Sequence, residues 1–452
     1  MEIILPEAVK RIIETLSKAG FEAYAVCGCV RDCLLGKQPN DWDITTSALP
    51  KEVKSLFRRT IDTGIAHGTV TVMMNHTGYE VTTYRIDGEY EDGRHPKQVS
   101  FTRSLREDLR RRDFTINAMA YNEQDGLVDL FEGRQDLQNG VIRCVGEAEE
   151  RFGEDALRML RAVRFAAQLG FTLDPATASA IRELAPTLSK VSAERIQTEL
   201  VKTLVSGHPE RIRDAYEYGL TAVFLPEFDR MMDTKQNNIN HIYSVGEHTI
   251  QSMCNIRADK VLRLTMLFHD IGKPLCKTTD EDGMDHFHGH PELSANLAKE
   301  CLRRLKFDNE TIERVYRLCK CHDYRIEPER KYLRRAMRKL GADLFPDFFE
   351  VQRADVLAQS DYKRTEKLDQ ITHNEADFRE IQGKSECVSL HDLAVNGSDL
   401  IGLGIRPGKQ IGELLNLMLD EVVENPENND KYYLLQVMLP KNLEKWEKIE
   451  KK

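Results

Sequence analysis

At 452 residues, with 31% charged and 41% hydrophobic side chains, the chain has the composition of an ordinary globular protein and the length for about two to four domains. A formal net charge of −10 argues against a protein that coats nucleic acid indiscriminately and confines any RNA contact to local basic patches. No stretch approaches the roughly 18 uninterrupted apolar residues of a membrane span. The ten cysteines form no C-x-x-C pair, a pattern of reduced thiols that points to the cytoplasm rather than to a disulfide framework or a zinc ribbon.

In chain order, residues 6 to 19 read as an amphipathic helix rather than a signal peptide. The apolar run Ala23 to Val26 reads as a strand. A turn at Gly28 and a short helix carrying Arg31 and Asp32, ending near Gly36, follow it. The segment closes on Asp41-Trp42-Asp43-Ile44. On a strand, Asp41 and Asp43 share one face, and two convergent carboxylates suit Mg²⁺, which takes one or two carboxylates plus phosphate oxygens. The bland alternative is a solvated turn.

Two further strand runs are expected at Thr69 to Met74 and Glu80 to Tyr84. Glu80 is either a third acidic group near the metals or a surface charge. Residues 84 to 98 are polar and glycine-bearing, and read as a loop. Arg103, Arg106, Arg110, Arg111 and Arg112 then lead into Asp113-Phe-Thr-Ile-Asn117-Ala, on a basic helix with an apolar face.

The Gly28 to Asp43 stretch resembles the first motif of the bacterial tRNA nucleotidyltransferase / poly(A) polymerase family, Gly-Gly-x-Val-Arg-Asp, then Leu-Gly, then Asp-x-Asp. Gly28, Val30, Arg31, Asp32, Leu35, Gly36, Asp41 and Asp43 fit it, and Cys27 stands where the first glycine usually sits. The string Arg111-Arg-Asp-Phe-Thr-Ile-Asn-Ala is similar to the family's second motif, and Asp129 to Leu137 to the next segment, which is mainly structural. The resemblance implies an α/β nucleotidyltransferase head with a small mixed sheet. In it Asp41 and Asp43 are catalytic and hold two Mg²⁺, and Gly28 and Arg31 approach the phosphates. Arg112 binds the nucleotide, and Asp113 and Asn117 lie near the ribose. The segment from Asp62 through His67, and the loop at 84 to 98, resemble the CCA-adding branch, in which such a loop assists the final adenosine addition.

Beyond about residue 145 helical patterns dominate. Residues 154 to 169 form an expected helix on which Asp155, Arg158, Arg161 and Arg164 recur every three residues, a polar ridge with no acid among or just after the arginines. Asp155 offers acceptors and Arg158 a rigid fork of donors. That pair satisfies the amino group and ring nitrogen of cytosine or adenine. Guanine and uracil would leave buried groups unpaired. Arg161 and Arg164 suit the triphosphate. Glu154, Asp155 and Arg158 match a family motif used in this way, shared by its poly(A) polymerases.

His248, His269-Asp270, His290, His322 and Asp355 form a second constellation. It resembles the HD superfamily of metal-dependent phosphohydrolases, with His286 and His288 as competing choices for the third position. It reads either as an active hydrolase holding a divalent transition metal or as an inactive helical scaffold. The turn chemistry of Val395 to Gly408, a helix over Ile411 to Val422 and a basic end from Lys441 resemble the family's tRNA-gripping tail. Lys331 to Lys339 is a further basic cluster, either phosphate-binding or a solvated helix face.

The expected organisation is thus a catalytic head (1–145), an all-α neck selecting the base (146–207), a body with an HD domain (208–370) and a tRNA-binding tail (371–452). The implied activity is addition of C, C and A to tRNA 3′ ends from CTP and ATP, without a template or a membrane. The alternatives are an A-adding or poly(A)-polymerising relative, a non-catalytic scaffold, and a phosphohydrolase.

Overall fold

The helix expected first spans Glu7–Lys18 and buries Val9, Ile12, Ile13 and Leu16, one apolar stripe at helical spacing. Each such side chain stabilises the fold by roughly 1.5–3 kcal/mol relative to exposure. The computed structural model describes residues 3–88, 99–441 and 443. They fall into two compact units, Met1–Asp229 with Arg304–Phe307, and Arg230–Arg303 with Asp308–Lys452.

The first unit is built on a seven-stranded mixed sheet. Its strands are β1 (Ala23–Val26), β2 (Asp43–Thr46), β3 (Thr60–Gly64), β4 (Thr69–Met74), β5 (Thr77–Thr83), β8 (Met119–Asn122) and β9 (Gly126–Asp129), and β6 (Arg85–Asp87) and β7 (Val99–Phe101) form a separate ribbon. The order is β3-β4-β5-β2-β1-β8-β9, parallel only between β2 and β5. All four residues of β1 are buried, as its unbroken Ala-Tyr-Ala-Val run requires of a central strand. In β2, Ile44, Thr45 and Thr46 are buried and Asp43 is exposed at the strand's start. Strands β8 and β9 fall outside the sequence expectation, because their short runs carry no clear alternation. One side of the sheet closes over Tyr24, Val26, Tyr84, Leu109, Ala118 and Ala120.

Two details correct the sequence reading. Asp41 precedes β2 rather than lying in it. The turn after β1 takes its unusual conformation at Cys27 (φ 68°, ψ −129°), not at Gly28, which opens the Gly28–Leu34 helix. A non-glycine residue there is strained, which explains why glycine suits that place in the motif. Further along, Asp129 accepts the Gly133 and Arg134 N–H groups, each at 2.8 Å, and starts the Gly133–Asn139 helix. A Cβ on Gly133 would lie 2.2 Å from the Thr115 carbonyl oxygen, so only glycine lets that helix lie against the Thr115–Asn117 turn.

The single helix expected over 154 to 169 is two. One spans Ala148–Glu154, Asp155 caps it in an extended conformation, and a second spans Leu157–Leu169. Asp155 therefore sits at the junction, not on the arginine ridge, and its Oδ1 accepts the Leu157 N–H at 3.1 Å. The Ala193–Leu204 helix packs alongside.

The second unit is helical. Phe345, Phe348 and Phe349, all buried, form an aromatic cluster with Phe378. Asp259 and Asp308 cap the helices Lys260–Phe268 and Asn309–Cys321. The turn expected near 395 to 404 contains a short helix, Gly397–Gly402, because Asn396 and Asp399 form a reciprocal capping box. The helix expected over Ile411 to Val422 spans Lys409–Glu424 and buries Leu414, Met418, Leu419 and Val422.

Candidate functional site

The acidic end of β2 comes first. Asp43 and Thr45 are two residues apart on one face of the strand, and Ile44 is buried on the other. The Thr45 hydroxyl donates to Asp108 Oδ2 at 3.0 Å. Asp108, wholly buried, receives Arg111 Nη2 at 2.9 Å and Arg112 Nη2 at 3.1 Å. The arginine segment is thereby anchored to the strand that carries Asp43. Asp108 was missed in the sequence, although an acid three and four residues before two arginines is a legible pairing signal. Register places Glu80 beside Asp43, since Ile44 pairs with Val81 in the parallel ladder. Desolvation, then Glu80 and Asp41, raise the Asp43 carboxyl above its ordinary range, with Arg112 pulling the other way. Unneutralised carboxylates in such company suit a divalent cation. Arg112 also lies against the Cys27 thiol, whose pKa burial raises.

A second polar chain runs beside it. Arg31 Nη1 donates to Asn117 Oδ1 at 2.7 Å, and Asn117 Nδ2 donates to Asp113 Oδ1 at 3.1 Å. Asp113 Oδ2 accepts Arg161 Nε and Nη2 at 2.9 and 2.6 Å. Burial pushes the Asp113 carboxyl up, but Arg161 and Asn117 outweigh it and hold the group at about 2. The guanidinium groups of Arg31, Arg161 and Arg164 surround the buried Phe165 ring at 5.1, 5.4 and 3.9 Å from its centroid.

The ridge arginines are not free of acids, as the sequence suggested. Arg158 pairs with Glu154, Arg161 with Asp113 and Arg164 with Glu199. Arg164 is 7% exposed, also donates to Gln168 Oε1 at 2.8 Å, and is a buried structural cation in this conformation. Arg158 further donates to the carbonyls of Arg151 and Arg111 at 3.1 and 3.2 Å, which fixes it against the arginine segment. Asp155 receives Arg195 in a two-pronged contact at 3.2 and 2.7 Å. Arg195 and Glu199, four residues apart on one helix, thus hold Asp155 and Arg164. Sequence reasoning missed both because their partners lie on other helices.

The second constellation assembles in the second unit. Helix Val245–Cys254 carries His248, and His269 caps Lys260–Phe268 and is followed by Asp270. His290 opens His290–Arg304, His322 caps Asn309–Cys321, and Asp355 lies on Phe345–Ala358. His248 Nε2 lies 2.8 Å from Asp355 Oδ1 and 3.3 Å from His269 Nε2. His290 Nε2 lies 3.3 Å from His322 Nε2. Asp270 sits between the two sets, its oxygens 3.3–3.6 Å from all four imidazoles. Two three-residue groups able to hold a metal share it: His248, His269, Asp270 and Asp270, His290, His322.

His286 and His288 stack on each other, and His286 pairs with Asp280, which leaves His290 as the third histidine. Backbone carbonyls fix the ring orientations: Nδ1 of His269, His290 and His322 lies 2.7, 2.8 and 2.7 Å from those of Met266, Phe287 and Cys319. Both Asp270 oxygens are buried and lack a hydrogen bond of good geometry, though Lys273 Nζ approaches at 2.7 Å. An orphaned buried carboxylate ringed by inward-facing imidazoles fits divalent metal. Burial opposes its ionisation, but His269 and Lys273 hold the carboxyl well below the usual range. Burial pushes the His290 imidazole below its ordinary range, toward the neutral form that a ligand needs. A Cβ on Gly272 would lie 2.8 Å from Ser294 N, so glycine there brings the Asp270 loop close to the His290 helix.

The basic helix Arg330–Leu340 is largely neutralised: Arg330 by Asp377 and Glu380, Arg334 by Glu386, Arg335 by Glu424 and Arg338 by Asp420. It joins helices rather than standing as a bare phosphate-binding patch. Residues 89–98 of the expected loop, and the basic end beyond residue 443, lie outside the described residues.

Three family models match the chain. The poly A polymerase head domain covers residues 23–143, the RNA and SrmB-binding site of polymerase A covers 170–232, and domain 2 of tRNA nucleotidyltransferases covers 286–438. The CCA-adding enzyme of Ligilactobacillus salivarius is 35% identical over 440 residues, 96% of each chain. That of Levilactobacillus brevis is 37% identical over 426 residues, 94% of this chain and 95% of its own. Among solved structures, the Bacillus stearothermophilus CCA-adding enzyme in complex with CTP superposes with a TM-score of 0.73 at 30% identity, covering 98% of this chain and 100% of that one. Motif, sheet order and similarity along almost the whole length agree, and the chain belongs to the CCA-adding enzyme family of nucleotidyltransferases.

Proposed function

We propose that this chain completes tRNA 3′ ends, adding C, C and A from CTP and ATP and releasing pyrophosphate, in the cytoplasm. The observation that supports the reading is that Asp155 and Arg158, the pair that would read the base, are held by Arg195 and by the Arg111 carbonyl in the unit that holds the β2 carboxylates. A protein side-chain pair that satisfies both cytosine and adenine makes a nucleic-acid template unnecessary. In the transfer, the 3′ oxygen of the tRNA forms a bond to the α-phosphorus and the bond to pyrophosphate breaks. Asp41 and Asp43, with Glu80 beside them, would hold Mg²⁺ ions, which when bound lower the barrier to attack and stabilise the leaving group. Arg31, Arg112 and Arg161 supply positive charge for the triphosphate, and Asp113 and Asn117 hold Arg161 and Arg31 beside the ribose.

The test uses Mg²⁺ and tRNA lacking CCA, ending in C and ending in CC, with CTP, ATP or both, and Asp41→Ala as control. Completion from the bare end, halting at CC without ATP, is expected. AMP addition to the CC form alone would make the chain an A-adding enzyme, and incorporation independent of Asp41 would remove the assignment.

The Asp270-centred cluster favours a second activity in the other unit, metal-dependent phosphoester hydrolysis, with a divalent transition metal held by His248, His269, Asp270, His290, His322 and Asp355. Loss of phosphate release in Asp270→Asn, with nucleotidyl transfer intact, is the check.

A further inference from the structure

A fully buried carboxylate can touch neither a metal ion nor a nucleotide, yet Asp108, on the Leu105–Arg110 helix, is wholly buried beside the end of β2 where both would sit. Its two oxygens divide their partners. Oδ1 accepts Arg111 Nε at 3.0 Å and Nη2 at 2.9 Å, and the Arg85 N–H at 3.4 Å. Oδ2 accepts the Thr45 hydroxyl at 3.0 Å and Arg112 Nη2 at 3.1 Å. Asp108 thus joins the arginine segment to the start of β6 and to β2, where Thr45 stands on the same face as Asp43. Burial opposes its charge, but Arg112 and Arg111 outweigh burial and hold the carboxyl below its ordinary range, so it stays ionised.

Arg112 also acts on Asp43: desolvation and Glu80 raise that carboxyl, and Arg112 opposes them. Even so, among the described residues no hydrogen bond or ion pair joins Arg112 to Asp43, and Asp108 is the only carboxylate paired with Arg112. The rest of the guanidinium is weakly held. Its Nε is buried without a hydrogen-bond partner, and its Nη1 lies against the Cys27 thiol. A guanidinium this near a metal-binding carboxylate competes with the metal, because an arginine–aspartate pair would put positive charge where the cation belongs. We propose that Asp108 is a positioning residue that prevents this pairing: it holds Arg112 off Asp43, so that the guanidinium serves the triphosphate and the carboxylate stays open to Mg²⁺. The Thr45 hydroxyl fixes Asp108 to the strand that carries Asp43 and so sets the spacing. This rests on the reading of Asp43 as a metal ligand.

The test reads cation binding directly. Mn²⁺ binding to the full chain is titrated by electron paramagnetic resonance, and the part that Asp43→Asn removes is assigned to the first unit, which sets the histidine–aspartate cluster aside. Asp108→Asn keeps the side chain's shape but loses the charge that holds Arg112, and should weaken this binding about tenfold. Raising Mg²⁺ should restore the variant's kcat for CTP incorporation while its KM for CTP stays high, because Arg112 is displaced from Asp43 but no longer held for the triphosphate. In the Arg112→Gln background the competitor is gone, and Asp108→Asn should change Mn²⁺ affinity by less than about twofold. Thr45→Val, a milder change, should weaken Mn²⁺ binding about threefold, and that loss should also vanish in the Arg112→Gln background.

Mn²⁺ affinity unchanged in Asp108→Asn (or in Thr45→Val, should the first variant not fold) would overturn the positioning role and leave the metal reading standing. So would a loss of the same size with Arg112→Gln present, since Asp108 would then act on the fold and not through Arg112. The absence of any Mn²⁺ binding that depends on Asp43 would remove the metal reading, and the positioning role with it.

Discussion

The two candidate metal-binding groups of this chain are built in opposite ways. In the first unit Asp43 stands exposed at the start of a strand, with partial desolvation of its carboxyl, then Glu80 and Asp41, raising its pKa. In the second unit four imidazoles converge on a fully buried Asp270, each with its Nδ1 set against a backbone carbonyl. An exposed acidic end suits an ion that arrives and leaves with a nucleotide's phosphates, whereas a buried nest of imidazoles suits one that stays.

The largest effect tests whether the two sites are independent. Asp43→Asn should reduce nucleotidyl transfer more than about a hundredfold while phosphoester hydrolysis continues, and Asp270→Asn should do the reverse. Parallel assays on both variants check it, and a shared loss would break the comparison. Next, the first unit's buried ion pair can be set against the second unit's buried cluster. Glu199→Ala leaves Arg164 charged and unpaired, and should destabilise the protein by about 3–5 kcal/mol in denaturant titrations, whereas Glu199→Gln, which keeps an acceptor, should cost less.

A smaller effect concerns acid. Asp113 is held at about 2, below the roughly 3.9 of an unfolded chain. A depressed carboxyl contributes stability that is complete above about pH 4 and is lost as pH falls toward 2. Asp113→Asn should therefore lose roughly 2–3 kcal/mol near neutrality, and its stability should depend less on pH between 4 and 2. Urea melts across that window measure it. The smallest effect sharpens the account of the turn at the nucleotide end: Cys27→Gly relieves a positive φ and should stabilise the fold by about 1 kcal/mol, read as a shift in the denaturation midpoint.

Local chemistry was legible wherever neighbours in sequence are neighbours in space. The strand Ala23–Val26, the helix after it and the strand Thr69–Met74 follow from runs of apolar residues bounded by turns. The six cluster residues were legible because His-Asp followed by Ile-Gly-Lys is an uncommon string, and the fold brings all six together. Strands β8 and β9 were not, since such short segments become strands only by pairing with β1 and with each other.

By itself the sequence determined the types of side chain present: paired carboxylates after a strand, an acid and an arginine three residues apart, and a set of histidines and aspartates able to hold a metal. Only the tertiary structure decided what each group is committed to. Asp155 broke the expected helix because its carboxylate caps the next one and is gripped by Arg195 from forty residues away. Arg164 left the ridge for Glu199, and the basic helix at Arg330–Leu340 found its acids on other helices. Helical spacing sets which residues share a face, but a buried charge must find its counter-charge wherever the fold supplies one, and that partner is invisible along the chain.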